Sequence, residues 1–150
     1  WISPPPSLHT HPMGQQSHTV NFRVRYGETD RMDTIYNARV LEWFEVARTE
    51  HIRVLGMPYA EIESRGVLLP VTEAHVEFLG RATYDDLLKL QSTISRPSRL
   101  RVRFDVEIAH AETGGEVACG YTIHAITNSV GRPSLPPDWL QDIIEKGIED

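Results

Sequence analysis

The chain has 150 residues, 40% hydrophobic and 24% charged, a balance that suits one globular domain large enough to bury its own core. A net charge of -6 argues against a general nucleic-acid binder. Cys119 is the lone cysteine, which excludes an intrachain disulfide and suits a reducing, cytoplasmic setting, and no apolar run is long enough to span a membrane.

Residues 1–18 are rich in Pro, Ser, His and Gln and hold no Lys, Arg, Asp or Glu, so they are expected to form a flexible tail ahead of a folded domain at 19–150. No secretory leader pattern is seen there. His9, His11 and His18 show no fixed ligand spacing, and no metal site is expected of them.

Val20, Phe22, Val24 and Tyr26 alternate with polar residues and predict a half-buried strand over 20–26. A polar turn follows. A helix is expected from about Asn37, as N-cap, to Leu55, with Val40, Leu41, Trp43, Phe44, Ala47, Ile52 and Leu55 covering much of its circumference. Gly56 and Pro58 stop it, and a short helix over 58–64 closes at Gly66. Strands are expected over 67–79, 87–95, 100–109 and 116–127, the last after the Gly114–Gly115 turn. Pro136–Pro137 introduces a terminal helix carrying Trp139, Leu140, Ile143 and Ile144. One strand, one long helix and four successive strands give an α+β domain in which an antiparallel sheet wraps one long central helix, with an edge left to hide in a homodimer or a dimer of dimers.

The stretch Tyr26–Glu50 sets an acidic residue, Asp30, in a polar turn just ahead of the long helix. A carboxylate beside free helix-start N–H groups suits attack on a carbonyl, although a turn Asp also caps its own backbone. Glu28-Thr29-Asp30, Ile35-Tyr36-Asn37 and Leu41-Glu42-Trp43-Phe44-Glu45 together resemble the leading motif of the 4-hydroxybenzoyl-CoA thioesterase family, of the hotdog fold. Two weaker matches follow, Phe78 to Leu87 and Gly131-Arg132-Pro133 leading to Pro136.

The resemblance implies an acyl-CoA thioesterase that needs no cofactor or metal. Asp30 matches the carboxylate that attacks the thioester or activates water, and Asn37 the position whose main-chain N–H polarises the thioester oxygen. Tyr26 and Tyr36 are expected substrate contacts. Arg81, Arg96, Arg99 and Arg132 are candidates for the CoA phosphates, 13 of the 15 basic residues being Arg. Arg101 and Arg103 suit a solvated face paired with Asp105 and Glu107.

Three positions depart from the family pattern: Asp33 for Gly, Asn37 for the His of many members, and Arg81 for Pro. Asp33 near Asp30 would raise the pKa of at least one of the two if both faced the pocket. These departures motivate an alternative, a non-catalytic acyl-CoA or acyl-carrier-protein binding protein. A hydratase ranks lower, because no matching Asp–His or His–Glu motif is evident. Glu45 is a back-up nucleophile or base, with an ion pair to Arg48 as its plainer role. His75 and Glu77 share a strand face, and Cys119 reads as a buried small residue.

Overall fold

The computed structural model describes residues 16–30, 32, 34 and 36–148. Its strands are β1 (Ser17–Arg23), β2 (Val67–Leu68), β3 (Val71–Phe78), β4 (Leu87–Ser98), β5 (Arg101–His110), β6 (Glu116–Ala125) and β7 (Thr127–Asn128). Its helices are α1 (Arg39–Leu55), α2 (Tyr59–Ser64) and α3 (Asp138–Ile148). The main sheet runs β1-β4-β5-β6-β3, with every neighbouring pair antiparallel, and β2 pairs with β7.

Several boundaries differ from the sequence expectation, and β4 runs three residues past its expected end at Ser95. The first strand starts and ends three residues earlier, and Tyr26 opens a single 3₁₀ turn, Tyr26–Glu28. That turn closes because Glu28 accepts hydrogen bonds from the Arg25 backbone and side chain. The long run over 67–79 breaks at Leu69–Pro70, and the run over 116–127 divides after Ala125. Pro70 lacks a ladder donor, and the Ala125 N–H donates to its carbonyl instead. Asn37 is not the N-cap: Ala38 precedes α1 with helical angles and no side-chain cap, while the Asn37 carbonyl receives the Val40 N–H.

The register fixes what α1 sees. Val102, Phe104, Val106 and Ile108 of β5 lie opposite His124, Thr122, Gly120 and Ala118 of β6, and all eight turn to the helix. Trp43, Phe44, Val40 and Ala47 fill one half of the core with Leu88, Leu90, Val106 and Ile108. Ile52 fills the other half with Ile62, Ile94, Phe104, Leu140 and Ile144. α3 closes this second half, where a Cβ on Gly147 would lie 2.5 Å from Ile94 and 2.8 Å from Leu55, so only glycine admits the approach. The helix therefore enters the sheet at its Phe22–Leu88 end and leaves at its Ile94 end. That polarity places the loop ahead of α1.

Candidate active site

A short ladder shapes the loop between β1 and α1. The Tyr36 N–H donates to Glu28 O at 2.9 Å, and the Asp30 N–H donates to Thr34 O at 2.8 Å. The chain thus doubles back, with Asp30 paired to Thr34 in the segment that leads into α1. Thr34 Oγ1 donates to the Ala82 carbonyl at 3.2 Å, tying the loop to the segment after β3. Asp30 is exposed. Its Oδ1 accepts the Met32 N–H at 2.8 Å, the self-capping turn that short acidic side chains favour. Oδ2 has no hydrogen-bond partner among the described residues.

At the helix start the Arg39 and Val40 N–H groups are already bonded, to the Tyr36 and Asn37 carbonyls. Among the described residues, the Asn37 and Ala38 N–H groups find no acceptor. They are the donors that a helix start leaves for an incoming oxygen. Asp33 lies outside the described residues.

Glu28 holds this loop in place, a role the sequence reading missed. It is 3% exposed. Burial opposes its charge, yet hydrogen bonds from the Arg25 side chain, the Trp43 indole and the Arg25 N–H outweigh that cost and hold its carboxyl below the ordinary range. The Trp43 bond joins the loop to the first turns of α1, so one buried carboxylate sets the loop against the helix. The available signal was an acid two residues before Asp30 with an indole on the facing helix.

The other expected site residues divide by location. Tyr26 and Tyr36 are both exposed beside the loop, and Tyr26 packs edge-on against Tyr84 at 5.6 Å. Arg81 is exposed next to Ala82, near Thr34, and its carbonyl is 2.8 Å from His110 Nε2. Arg96 and Arg99 sit at the β4–β5 turn, where the Arg96 guanidinium donates to the Arg99 carbonyl. The length of β4 from Leu87 to Arg96 separates them from the loop by roughly 30 Å at ~3.3 Å per residue. Arg132 lies in the turn after β7, with its backbone bonded to Asn128. Within one chain, then, hydrogen bonds connect the segments that carry Tyr26, Asp30, Tyr36–Asn37 and Arg81, while Arg96 and Arg99 sit at the far end of β4 and Arg132 in the turn after β7.

Other pairings are also settled. Arg103 pairs with Asp105 at 2.9 Å as expected, but both are half-buried rather than solvated, because the guanidinium lies over the Tyr121 ring. The Glu45–Arg48 ion pair does not form among the described residues. Arg39–Glu42 at 3.0 Å and Glu50–Arg53 at 3.3 Å form instead. His75 and Glu77 do share a face, 3.5 Å apart, but it is the sheet face away from α1. Cys119 is buried, with Sγ 3.4 Å from Glu77. His9 and His11 fall outside the described residues, while His18 on β1 stacks on His51 at 5.6 Å. Among the described residues no cluster suits a metal, and no helix is long and apolar enough to cross a membrane.

An antiparallel sheet wrapped around one long helix is the hotdog fold. The chain belongs to the thioesterase-like superfamily, whose family pattern matches residues 24–144. A 1,4-dihydroxy-2-naphthoyl-CoA hydrolase of Synechococcus elongatus is 32% identical over 126 residues, 81% of this chain and 90% of that protein. A candidate acyl-CoA thioesterase of Bacillus subtilis is 46% identical over 55 residues, 37% of this chain and 40% of that protein's length. The solved structure of a DHNA-CoA thioesterase from Staphylococcus aureus superposes with a TM-score of 0.78 at 31% identity, covering 84% of this chain and 87% of that one.

Proposed function

We propose that this protein hydrolyses the thioester of an acyl-CoA to the free acid and CoA, with Asp30 as nucleophile or general base. One observation supports the reading: the loop ladder pairs the Asp30 backbone with Thr34, in the segment that leads into α1, and the Asn37 and Ala38 N–H groups that follow have no acceptor among the described residues. A carbonyl carbon approached by Asp30 Oδ2, with its oxygen at those donors, would meet a nucleophile and an oxyanion site together. The departing thiolate is a stable leaving group, so the chemistry needs no metal. Because the oxyanion donors are main-chain groups, Asn in place of His at position 37 leaves that role intact. Tyr26, Tyr36 and Arg81 are close enough to line the approach.

The site works best in a dimer. β3 is an edge strand with exposed Val71 and Phe78, and it runs at its far end into the Arg81–Ala82 segment that holds the Asp30 loop. Pairing β3 with a second copy would bury that edge and wall the loop. Arg96, Arg99 and Arg132 would then reach CoA phosphates only from another subunit.

A second reading, acyl-CoA binding without turnover, draws on the hydrogen bond from the Met32 N–H to Asp30 Oδ1, which already engages half of the carboxylate. Free-thiol release from short, long and aromatic acyl-CoAs separates the two, with Asp30→Asn run alongside. Release that the variant loses supports hydrolysis by Asp30. No release, together with a rise in melting temperature on adding CoA esters, supports binding alone.

A further inference from the structure

Beside α1, away from the Asp30 loop, lies a pocket lined by Glu45, Arg48, Thr49 and Ile52 of the helix, Tyr59 of α2, and Leu69, Phe104 and His124. Its cavity of about 80 Å³ has room for several water-sized groups, which suits the end of a chain rather than a whole acyl group.

Most of its polar lining is already satisfied. Burial pushes His124 down to about 4, so the ring is neutral. Its Nδ1–H then donates to the Leu69 carbonyl at 2.9 Å, and Nε2 accepts from the Thr122 hydroxyl at 2.9 Å. The Tyr59 oxygen accepts the Leu69 N–H at 3.1 Å.

Arg48 is the exception. It is half-buried, its guanidinium stays charged, and among the described residues no hydrogen bond or close ion pair engages it, although the Glu45 carboxylate attracts it through space. A half-buried cation with no close partner keeps only part of its hydration, and a counter-ion entering the pocket would supply the pairing it lacks. Ile52, Leu69 and Phe104 make the surroundings apolar, which strengthens any pairing inside. Glu45 faces the same space from its exposed position and repels an anion, so Arg48 must outweigh it.

The pocket also lies in line with the reaction centre. Leu41, 43% exposed, and Glu45 are four residues apart and share the helix face that continues to Arg48, Thr49 and Ile52. From Arg39 to Arg48 the helix rises about 14 Å at ~1.5 Å per residue. Helical side chains lean toward the N-terminus, which brings the Arg48 guanidinium several ångströms nearer the carbonyl.

We infer that this pocket receives a carboxylate at the far end of the acyl group, with Arg48 as its counter-ion, so that the preferred substrates are CoA esters of dicarboxylic acids about six to eight carbons long. The inference rests on the thioesterase reading for the position of the carbonyl.

The test compares kcat/KM for the mono-CoA esters of adipic and suberic acid with hexanoyl- and octanoyl-CoA, with 6-hydroxyhexanoyl-CoA as a neutral polar ester. The expected result is at least a tenfold preference for the carboxylate-ended ester in the parent, lost in Arg48→Gln, partly kept in Arg48→Lys and increased in Glu45→Gln. No preference in the parent, a preference for the hydroxyl-ended ester, or a preference unchanged in Arg48→Gln would overturn it. A loss of folding alone would lower all rates without changing their ratio.

If no ester is hydrolysed, the thioesterase reading fails. Calorimetry with S-(5-carboxypentyl)-CoA and S-hexyl-CoA then decides the pocket. Tighter binding of the carboxylated thioether that disappears in Arg48→Gln supports the inference, and equal binding refutes it. Should Arg48→Gln not fold, the Arg48→Lys and Glu45→Gln ratios decide in the same way.

Discussion

Acid should destabilise this protein well above the range where carboxylates titrate, and two buried histidines set the size of the effect. His51 and His124 are each 2% exposed, and burial pushes each down to about 4 from an ordinary 6.5. For His124 the hydrogen bond to the Leu69 carbonyl opposes the shift and the Arg48 charge adds to it, and for His51 the neighbouring His18 ring adds to it. Between those two values the unfolded chain binds protons that the folded chain refuses, so stability falls as pH falls from 6.5 toward 4 and the loss levels off below. For one such group, moving from pH 7 to pH 5 removes about 2 kcal/mol, and the two independent sites together remove about 4 kcal/mol. In a domain of this size that corresponds to a fall in melting temperature of roughly 8–16 °C. Urea titrations at pH 5 and pH 7, at one protein concentration, measure it directly. His124→Gln keeps a donor for the Leu69 carbonyl and an acceptor for Thr122, and should remove about half of the pH dependence. Equal stability at the two pH values, or an unchanged slope in that variant, would refute the assignment of both histidines as neutral in the folded state.

Four further outcomes are expected. Asp30→Asn should lower kcat on acyl-CoA by at least about 100-fold with little change in melting temperature, and an active variant would move the chemistry elsewhere. Glu28→Gln removes the charge held by Arg25 and Trp43 and should cost about 1–3 kcal/mol in urea titrations, with kcat falling as well because the Asp30 loop loses its anchor; unchanged stability would count against the anchor. Gly120→Ala would place a Cβ 1.9 Å from the His75 carbonyl oxygen, and should force β3 off β6 at a cost of about 1–3 kcal/mol or more, read from the urea midpoint. Charging the exposed edge with Val71→Lys and Phe78→Lys should shift the sedimentation profile toward monomer; a profile identical to the parent would place the subunit contact elsewhere.

The fold was legible because its signals were periodic. Val102, Phe104, Val106 and Ile108 alternate along β5, and the apolar positions of α1 repeat at helical spacing. The errors fell where one residue redirected the backbone. Glu28 drew Tyr26 out of the first strand into a 3₁₀ turn, and Pro70 split a run that composition makes continuous. The site was only partly legible. Asp30 and Asn37 stand out through a motif, and local hydrogen bonds pair the segments on either side of the loop that carries them. The chemistry of Arg96 and Arg99 suits a phosphate, but composition does not say which end of a strand a phosphate-binding residue occupies. Glu45 and Arg48 have the spacing of a helical ion pair, but spacing does not show that Arg39 and Glu42 pair instead while Arg48 turns into a pocket. Glu28 stayed hidden because a buried carboxylate is recognised by its donors, and Trp43 is fifteen residues away.

The state of Asp30 connects activity to assembly. In the single chain its carboxylate is exposed and shares Oδ1 with the Met32 N–H. A hydrated carboxylate is a poor nucleophile, and Oδ2 gains reactivity as water is removed from it. The segment that can be covered is the one running from Phe78 through Ala82, which continues the β3 edge and accepts the Thr34 hydroxyl. In the proposed dimer a second β3 closes that edge and narrows the space over Asp30. Activity per chain should therefore fall on dilution through the dimer dissociation range, and the Val71→Lys, Phe78→Lys variant should lose kcat while keeping its fold by circular dichroism. A monomer that hydrolyses acyl-CoA at the parent rate would show that the loop and the start of α1 suffice alone, and that the β3 edge serves stability rather than chemistry.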